Sequence, residues 1–410
     1  RRDHDAGVVV VLAQVLVHPI DGFLLVGTQR DHERSRRRRR LDRHDCAPAG
    51  HDLAPLDLQL RDDAVVDVGA AVFERVEQAL LQDKTLVQTW AMRAAPHVVP
   101  TLDLAVFTAG LMPDDDEALL YYIRGASGHL QRLGFTAAEV VGRAGAALTT
   151  ALAGQRLTKD TLGHAMARLM EEGLTAAQLA IWRSPDGLRD NTHGESLARF
   201  ALSILALQGR LLLVPDRGRA VTIVLAEEWL GQPLPEANRQ EAAKELLRLY
   251  LHCYGPSRPA QFALWAGISP AQARRAWSLV AEELQSMERG RPSTWMLEAD
   301  VVALREALLP QGVRLLPPHD PYLQARDRDL LVAERDRQRL VWRTIGNPGA
   351  ILVDGEIAGV WRPAKRGKAL RISARLFRSL EPGTRSRLQD EAERLGPFRG
   401  ADTVELLFES

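Results

Sequence analysis

The chain has 410 residues, 46% of them hydrophobic and 26% charged, with 53 basic side chains against 53 acidic ones. At roughly 150 residues per domain this is a folded protein of two to four domains, which excludes wholesale disorder, and no apolar run reaches the roughly 20 residues of a bilayer span. Two cysteines, Cys46 and Cys253, exclude a disulfide framework and a four-thiolate zinc site, and zero net charge excludes a histone-like polycation, so the expectation is a cytoplasmic protein whose polyanion contacts come from local clusters.

Residues 1–63 read unlike the rest. Up to residue 62 there is no Lys, a single aromatic residue (Phe23) and five of the eleven histidines, and Arg36–Arg40 is an unbroken arginine run. A nucleic-acid arm is one reading. The others are a disordered tail whose arginines are offset by Asp31, Glu33, Asp42 and Asp45, and text read out of frame from a GC-rich gene. Val8–Leu12 could still form a strand ahead of an Asp21-Gly22 turn.

From 64 the text is regular. Val72, Val76, Ala79 and Leu80 have helical spacing, and Leu86–Arg93 followed by Ala94–Pro100 reads as a strand and its return. Thr136-Ala137-Ala138-Glu139 is a capping box opening a helix to about Ala153, which closes a first unit over 64–155. The theme repeats over 156–235. Leu157–Asp160 starts a short helix through Met170, a helix through Leu197 and Leu205 ends at Gly209, and Arg210–Val214 pairs with Val221–Leu225 across Asp216-Arg217-Gly218. Over 236–300 come a helix from Glu241 to Tyr254, a second at Pro259–Ala266, a third at Ser269–Leu284 with Ser269-Pro270 as cap, and a hairpin of Gln285–Glu288 with Thr294–Leu297. Helix, helix, turn, helix, hairpin is the order of a winged helix-turn-helix. The fold class expected is therefore α+β, with about three tandem winged helix-turn-helix units.

Residues 301–410 change character. Val313–Leu316, Ala350–Asp354, Ile357–Trp361, Ala369–Ile372 and Thr403–Phe408 are strand candidates, Asp354-Gly355 is a hairpin turn, and one helix spans about Pro382–Leu395. This predicts a β-rich domain resembling a barrel.

Leu86-Val87-Gln88-Thr89-Trp90-Ala91-Met92-Arg93 with Ala95-Pro96-His97-Val98-Val99-Pro100 resembles a signature of the winged-helix DNA-binding proteins related to the AlkZ-like DNA glycosylases. Leu315–Tyr322, Gly346-Asn347-Pro348-Gly349, Val353-Asp354-Gly355 and Gly359-Val360-Trp361 are similar to that family as well. The resemblance spans about 64–410. It implies tandem winged helices and a C-terminal β-barrel on a concave DNA-binding surface, and excision of alkylated purines or unhooking of crosslinks. The family's catalytic Gln-x-Gln or Gln-x-Asp pair lies upstream of the Trp-Met-Arg text. The nearest match is Leu58-Gln59-Leu60-Arg61, with Gln59 in the first place and a guanidinium in the second.

The expected partner is double-stranded DNA, bound by a monomer without a membrane, metal or nucleotide cofactor, since no Walker or Gly-x-Gly-x-x-Gly text occurs. Arg93 and His97, four apart across a hairpin tip, can reach phosphates as a wing, or form a structural pair. Arg274 and Arg275 sit early in the third helix of the third unit, where a recognition helix meets DNA, and Lys159 and Arg199 are weaker candidates of that kind. The strongest electrostatic signal is 362–378, where Arg362, Lys365, Arg366, Lys368, Arg371, Arg375 and Arg378 occur with no acid among them. On a hairpin turning at Lys365–Lys368 these make a phosphate-tracking stripe, or a solvated loop. His319-Asp320 lacks a nucleophile and reads as a structural turn. Two functions remain open: a glycosylase, or a DNA-binding protein without catalysis.

Overall fold

The computed structural model describes residues 74–187, 191–216, 219–287, 293–318, 320–323, 328–343 and 346–409. The 1–63 segment, with the strand expected at Val8–Leu12 and with Gln59 and Arg61, lies outside the described residues, as does His319. The chain divides into two compact units, one over Gln78–Val302 and one that takes in everything from Ala303 onward.

The first unit begins, after a helix over 74–81, with the hairpin β1 (Leu86–Trp90) and β2 (Pro96–Pro100). Short helices follow, α1 (Leu104–Phe107), α2 (Asp116–Tyr122) and α3 (Ser127–Leu133), none long enough for its apolar period to stand out in the sequence. Then come α4 (Ala137–Leu152), the two-residue β3 (Leu157–Thr158), α5 (Lys159–Leu169), α6 (Ala176–Trp182), α7 (His193–Leu207), β4 (Leu211–Asp216) and β5 (Arg219–Leu225). The Thr136 capping box expected at α4 forms, and Thr175 and Thr192 make the same device at α6 and α7. In each, the threonine hydroxyl and the Glu or Gln three residues on satisfy two amides that helix geometry leaves unpaired. The helices α4, α5 and α7 pack on one another, and β3 pairs with β5.

The two expected wings are not separate. Gln88 of β1 pairs with Leu213 of β4, so the hairpins merge into one sheet ordered β2-β1-β4-β5-β3 over a single continuous core.

The remainder of the unit is α8 (Ala226–Leu230), α9 (Arg239–Tyr254), α10 (Pro259–Ala266), α11 (Pro270–Ser278) and the hairpin β6 (Leu284–Met287) with β7 (Thr294–Leu297). Its core is aromatic, with Tyr250, Phe262 and Trp265 in mutual contact and Trp277 against Phe262. The third helix, expected to run to Leu284, ends at Ser278. Glu283 is drawn instead onto Arg248 of α9, which donates to it from Nε at 2.8 Å and from Nη2 at 2.7 Å, and the chain enters β6 from there. That bidentate pair is a tertiary contact with no local trace.

The second unit contains α12 (Val301–Arg305, at its start), β8 (Val313–Leu316), α13 (Arg328–Leu331), α14 (Arg335–Val341), β9 (Gly349–Val353), β10 (Glu356–Arg366), β11 (Ala369–Leu376), α15 (Pro382–Glu393), α16 (Leu395–Phe398) and β12 (Thr403–Glu409). Its strands form an open sheet, β12-β11-β10-β9-β8, antiparallel except for the parallel pair β11–β12. Among the described residues there is no closed barrel, which corrects the expectation. The helical crossover α15 returns the chain parallel to β11, and each face is covered by helical segments rather than curled onto itself. Trp361, Ile372 and Ala374 pack with Leu388 and Ala392 of α15, while Val360, Leu352 and Ala350 pack with Val341 and Leu323. Gly349 has no side chain because the Trp361 indole needs the space: a Cβ there would lie 2.2 Å from Nε1, which donates to the Leu316 carbonyl at 2.8 Å.

The β1–β2 turn carries the most demanding backbone in the first unit. Arg93 (φ 58°) and Ala94 (φ 50°) are both left-handed, a conformation that costs a residue with a side chain about 1–2 kcal/mol. The Tyr122 hydroxyl plugs the turn, donating to the Ala91 carbonyl at 2.5 Å and accepting from the Ala94 amide at 3.2 Å. From the other side Gly267, itself at φ +77° between α10 and α11, lies so close that a Cβ would sit 2.5 Å from Arg93 Cα. Replacing Gly267 by Ala is expected to destabilise the protein by about 2–4 kcal/mol, since a left-handed Cβ and a backbone clash coincide. Urea unfolding midpoints measure this, and an unchanged midpoint would contradict the close docking.

Candidate nucleic-acid interface

The residues singled out in the sequence fall into two sets, each within one unit. In the first unit, Arg93 keeps an accessible side chain at the hairpin tip, but its Nη1 donates to the Trp265 carbonyl of α10. His97 turns inward. It is only 2% exposed, and its Nδ1 lies 2.8 Å from the Ala95 carbonyl. Burial pulls the His97 imidazole down to about 4, further lowered by Arg93 and only partly offset by the carbonyl. A buried neutral imidazole is not a phosphate ligand, so of the two alternatives for His97 the structural one fits.

Lys159, the first residue of α5, is exposed, with its ammonium 5.6 Å from the centre of the Trp90 ring at the end of β1. Arg199 lies inside. Its side chain is 11% exposed, its Nη1 donates to Asn191 Oδ1 at 2.8 Å, its Nε is 3.3 Å from Asp160, and Gly163 of α5 packs against its stem. It crosslinks α5 to α7 and is not positioned as a surface contact.

On α11, Gln272, Ala273, Ala276 and Trp277 are buried, while Ala271, Arg274, Arg275 and Ser278 face out. The helix thus presents both arginines on its solvent stripe. Arg275 is engaged there, with Nη2 2.5 Å from Asp114 and 3.6 Å from Asp115. Through Trp265 and Gly267, the tip of the first hairpin and the α10–α11 pair form one local assembly, with Lys159 at Trp90 nearby in the same hairpin.

In the second unit the basic run falls on β10, β11 and the turn between them. Pairing runs from Gly359↔Leu376 to Arg366↔Ala369, so Lys365, Arg366, Gly367 and Lys368 form the tip as expected. Alternation along β11 buries Leu370, Ile372 and Ala374 and exposes Arg371 and Arg375. The stripe is acid-free only along the chain. Parallel β12 sets Glu405 beside Arg371 and Glu409 beside Arg375. Arg371 pairs with Glu405 at 2.9 Å, Lys368 with Asp402 at 3.3 Å and Arg378 with Glu356 at 3.0 Å, while Arg362 donates to the Gly346 carbonyl at 2.6 Å. Among the described residues Lys365 and Arg366 have no carboxylate partner, so the uncompensated charge concentrates at the tip. Exposed pairs of this kind are worth about 0–1 kcal/mol, so phosphates can displace them.

Sequence reading missed Asp114 and Tyr122. Asp114 sits in an Asp-Asp-Asp run that signals helix capping only, and nothing local marks Tyr122 as the plug of a turn 28 residues away. Among the described residues no group of three His, Cys, Asp or Glu side chains could hold a metal ion, and no helix is long and apolar enough to cross a membrane.

A family profile described as DNA glycosylase AlkZ-like matches residues 68–398, most of the chain. The chain belongs to the AlkZ-like DNA glycosylase family. It is 26% identical over 290 residues, 68% of this chain and 71% of the relative, to the interstrand DNA cross-link repair glycosylase of Streptomyces sahachiroi. Its fold is similar to the solved structure of Streptomyces sahachiroi DNA glycosylase AlkZ, with a TM-score of 0.62 and 19% identity over 86% of this chain and 90% of that one. Within the AlkZ-like signature the described residues have packing roles: Trp90 takes Lys159, Met92 and His97 are buried, Arg93 caps α10, and Gly349 makes room for Trp361.

The buried His97 gives a pH signature. Between its ordinary 6.5 and about 4 the unfolded chain binds a proton that the folded protein does not, so stability present above pH 6.5 is lost as pH falls toward 4. The loss is expected to be about 3 kcal/mol, and a His97→Gln variant is expected to lack that component. Denaturant titrations at pH 7 and pH 4 measure both, and parallel pH dependence in the two proteins would contradict it.

Proposed function

We propose that this protein binds double-stranded DNA through two basic features, the α10–α11 helix pair and the β10–β11 tip, and that it is a monofunctional DNA glycosylase hydrolysing the N-glycosidic bond of alkylated or crosslinked purines. The observation that carries this reading is the AlkZ-like family match across 68–398, with the relative named for crosslink repair in support. We read α4–β3–α5–α7–β4–β5 as one winged helix-turn-helix. We read α9–α10–α11–β6–β7 as another, in which the bridge Ser257↔Trp295 stands for the short first strand. The helix over 74–81 with β1–β2 is the remnant of a first. The boundaries 236–300 and 301–410 fit that reading, while α4 (Ala137–Leu152), which the sequence placed in 64–155, goes with the elements of 156–235.

The chemistry asked of such a site is modest. A purine alkylated at N7 or N3 carries positive charge and leaves readily, so the protein need only extrude the nucleotide, position a water and stabilise charge developing on the sugar. Polar acceptors such as a glutamine amide suffice for that. Gln59 is the proposed first acceptor. Arg61 in the second place would set a cation where an oxocarbenium ion forms, and this favours a second reading, a non-catalytic DNA-binding protein of the same family.

Incubation with methylated duplex followed by alkali separates the two. Strand breaks at abasic sites are expected from a glycosylase, and a gel shift without breaks from a binder; neither breaks nor shift would overturn both. Reversing charge in Lys365→Glu/Arg366→Glu is expected to weaken duplex binding by about tenfold or more near 0.1 M salt, equally for all sequences, and to flatten the slope of log K against log salt by about 2. An unchanged slope would remove the hairpin tip from the interface.

A further inference from the structure

We propose that Asp114 is a built-in competitor for DNA phosphate: its carboxylate occupies, on Arg275, the place a phosphodiester would take, and so sets how tightly α11 grips the duplex backbone. This rests on the DNA-binding reading above and adds a specific carboxylate to it. Arg275 belongs to the outward stripe of α11, yet its Nη2 is already committed to Asp114 Oδ1 at 2.5 Å. A guanidinium meets carboxylate and phosphate with the same planar fork, so the two anions are alternatives for one donor.

The neighbouring acids have other duties, although Asp115 Oδ2 also lies 3.6 Å from Arg275 Nη2. Asp115 caps α2, its Oδ1 accepting from the Ala118 amide at 2.7 Å, and Asp116 accepts from the Ala138 amide at the start of α4, also at 2.7 Å. Among the described residues Asp114 engages Arg275 alone. Nor is it a dangling side chain that met the arginine by chance. The loop bearing it is fastened to the same helix by Gln272, whose Nε2 donates to the Leu111 carbonyl at 3.1 Å and the Met112 carbonyl at 3.2 Å, and Pro113 is buried. A fixed loop thus presents one uncommitted carboxylate to the arginine on the outward face of the helix. Both side chains are about half exposed, 47% and 51%, so an incoming polyanion can reach the guanidinium and exchange with the carboxylate.

The test is a cycle of four proteins, the unmodified protein, Asp114→Asn, Arg275→Gln and the double variant, titrated with undamaged duplex across a salt series. Coinciding melting curves establish that all four are folded. Asp114→Asn is expected to tighten binding by about three- to tenfold at low salt, with the gain fading as salt rises, and to change affinity by less than about twofold in the Arg275→Gln background. An Asp114→Asn variant that binds no tighter overturns the proposal. Equal gains in both backgrounds overturn it as well, because the carboxylate would then act as bulk charge and not through Arg275. Failure of the unmodified protein to bind duplex at any salt removes the DNA-binding reading together with the proposal, an outcome distinct from either.

Discussion

The left-handed turn at Arg93 and Ala94 is the constraint on which the first unit depends. Two residues with side chains are held in a conformation they disfavour, and three neighbours supply the compensation: the Tyr122 phenol fills the turn, the Trp265 carbonyl takes the Arg93 guanidinium, and Gly267 allows the two backbones to meet. Strain of this kind persists only where the surroundings over-determine it. Its effect is architectural. The hairpin is joined to β4 through Gln88 on one side and to the α10–α11 pair at its tip, so helices far apart in sequence are fixed to one strand pair.

Electrostatics follow a different rule. The protein as a whole has no net charge to attract a polyanion, and the basic segments that stand out in the sequence are met by carboxylates from elsewhere in the fold. Asp114 meets Arg275, and Asp402 and Glu405 meet Lys368 and Arg371. Half-exposed pairs such as these are weak and exchangeable, so they moderate a basic surface without abolishing it. Among the described residues, Lys365 and Arg366 at one hairpin tip and Arg274 on one helix have no carboxylate partner.

The described residues of the family signature have packing roles. Trp90, Met92, Arg93 and His97 build a turn, while Gly349, Trp361 and Leu316 build the centre of the second sheet through the Trp361 indole. These residues identify the fold because packing tolerates so little at them, a missing Cβ or a single indole N–H deciding each contact. For the acceptor pair that the family resemblance implies, the sequence has Gln59 as the proposed first member and Arg61 where the second would stand.

Local physics made much of this protein legible. The capping box at Thr136, the helix from Pro259 to Ala266 between a proline start and a glycine stop, the Asp354-Gly355 turn and the strands around it are all specified by neighbours within four residues, so their text carries them. Tertiary structure decided the rest. It merged two hairpins into one sheet, left the second sheet open by returning β12 parallel to β11, ended α11 at Ser278 because Glu283 pairs with Arg248, and turned His97 and Arg199 inward. The sheet merger, the parallel return, the end of α11 and the Arg199–Asp160 contact depend on partners 34 to more than 100 residues away, whose approach no local pattern records. A sequence shows which residues carry charge; only the folded chain shows which of those charges are already answered.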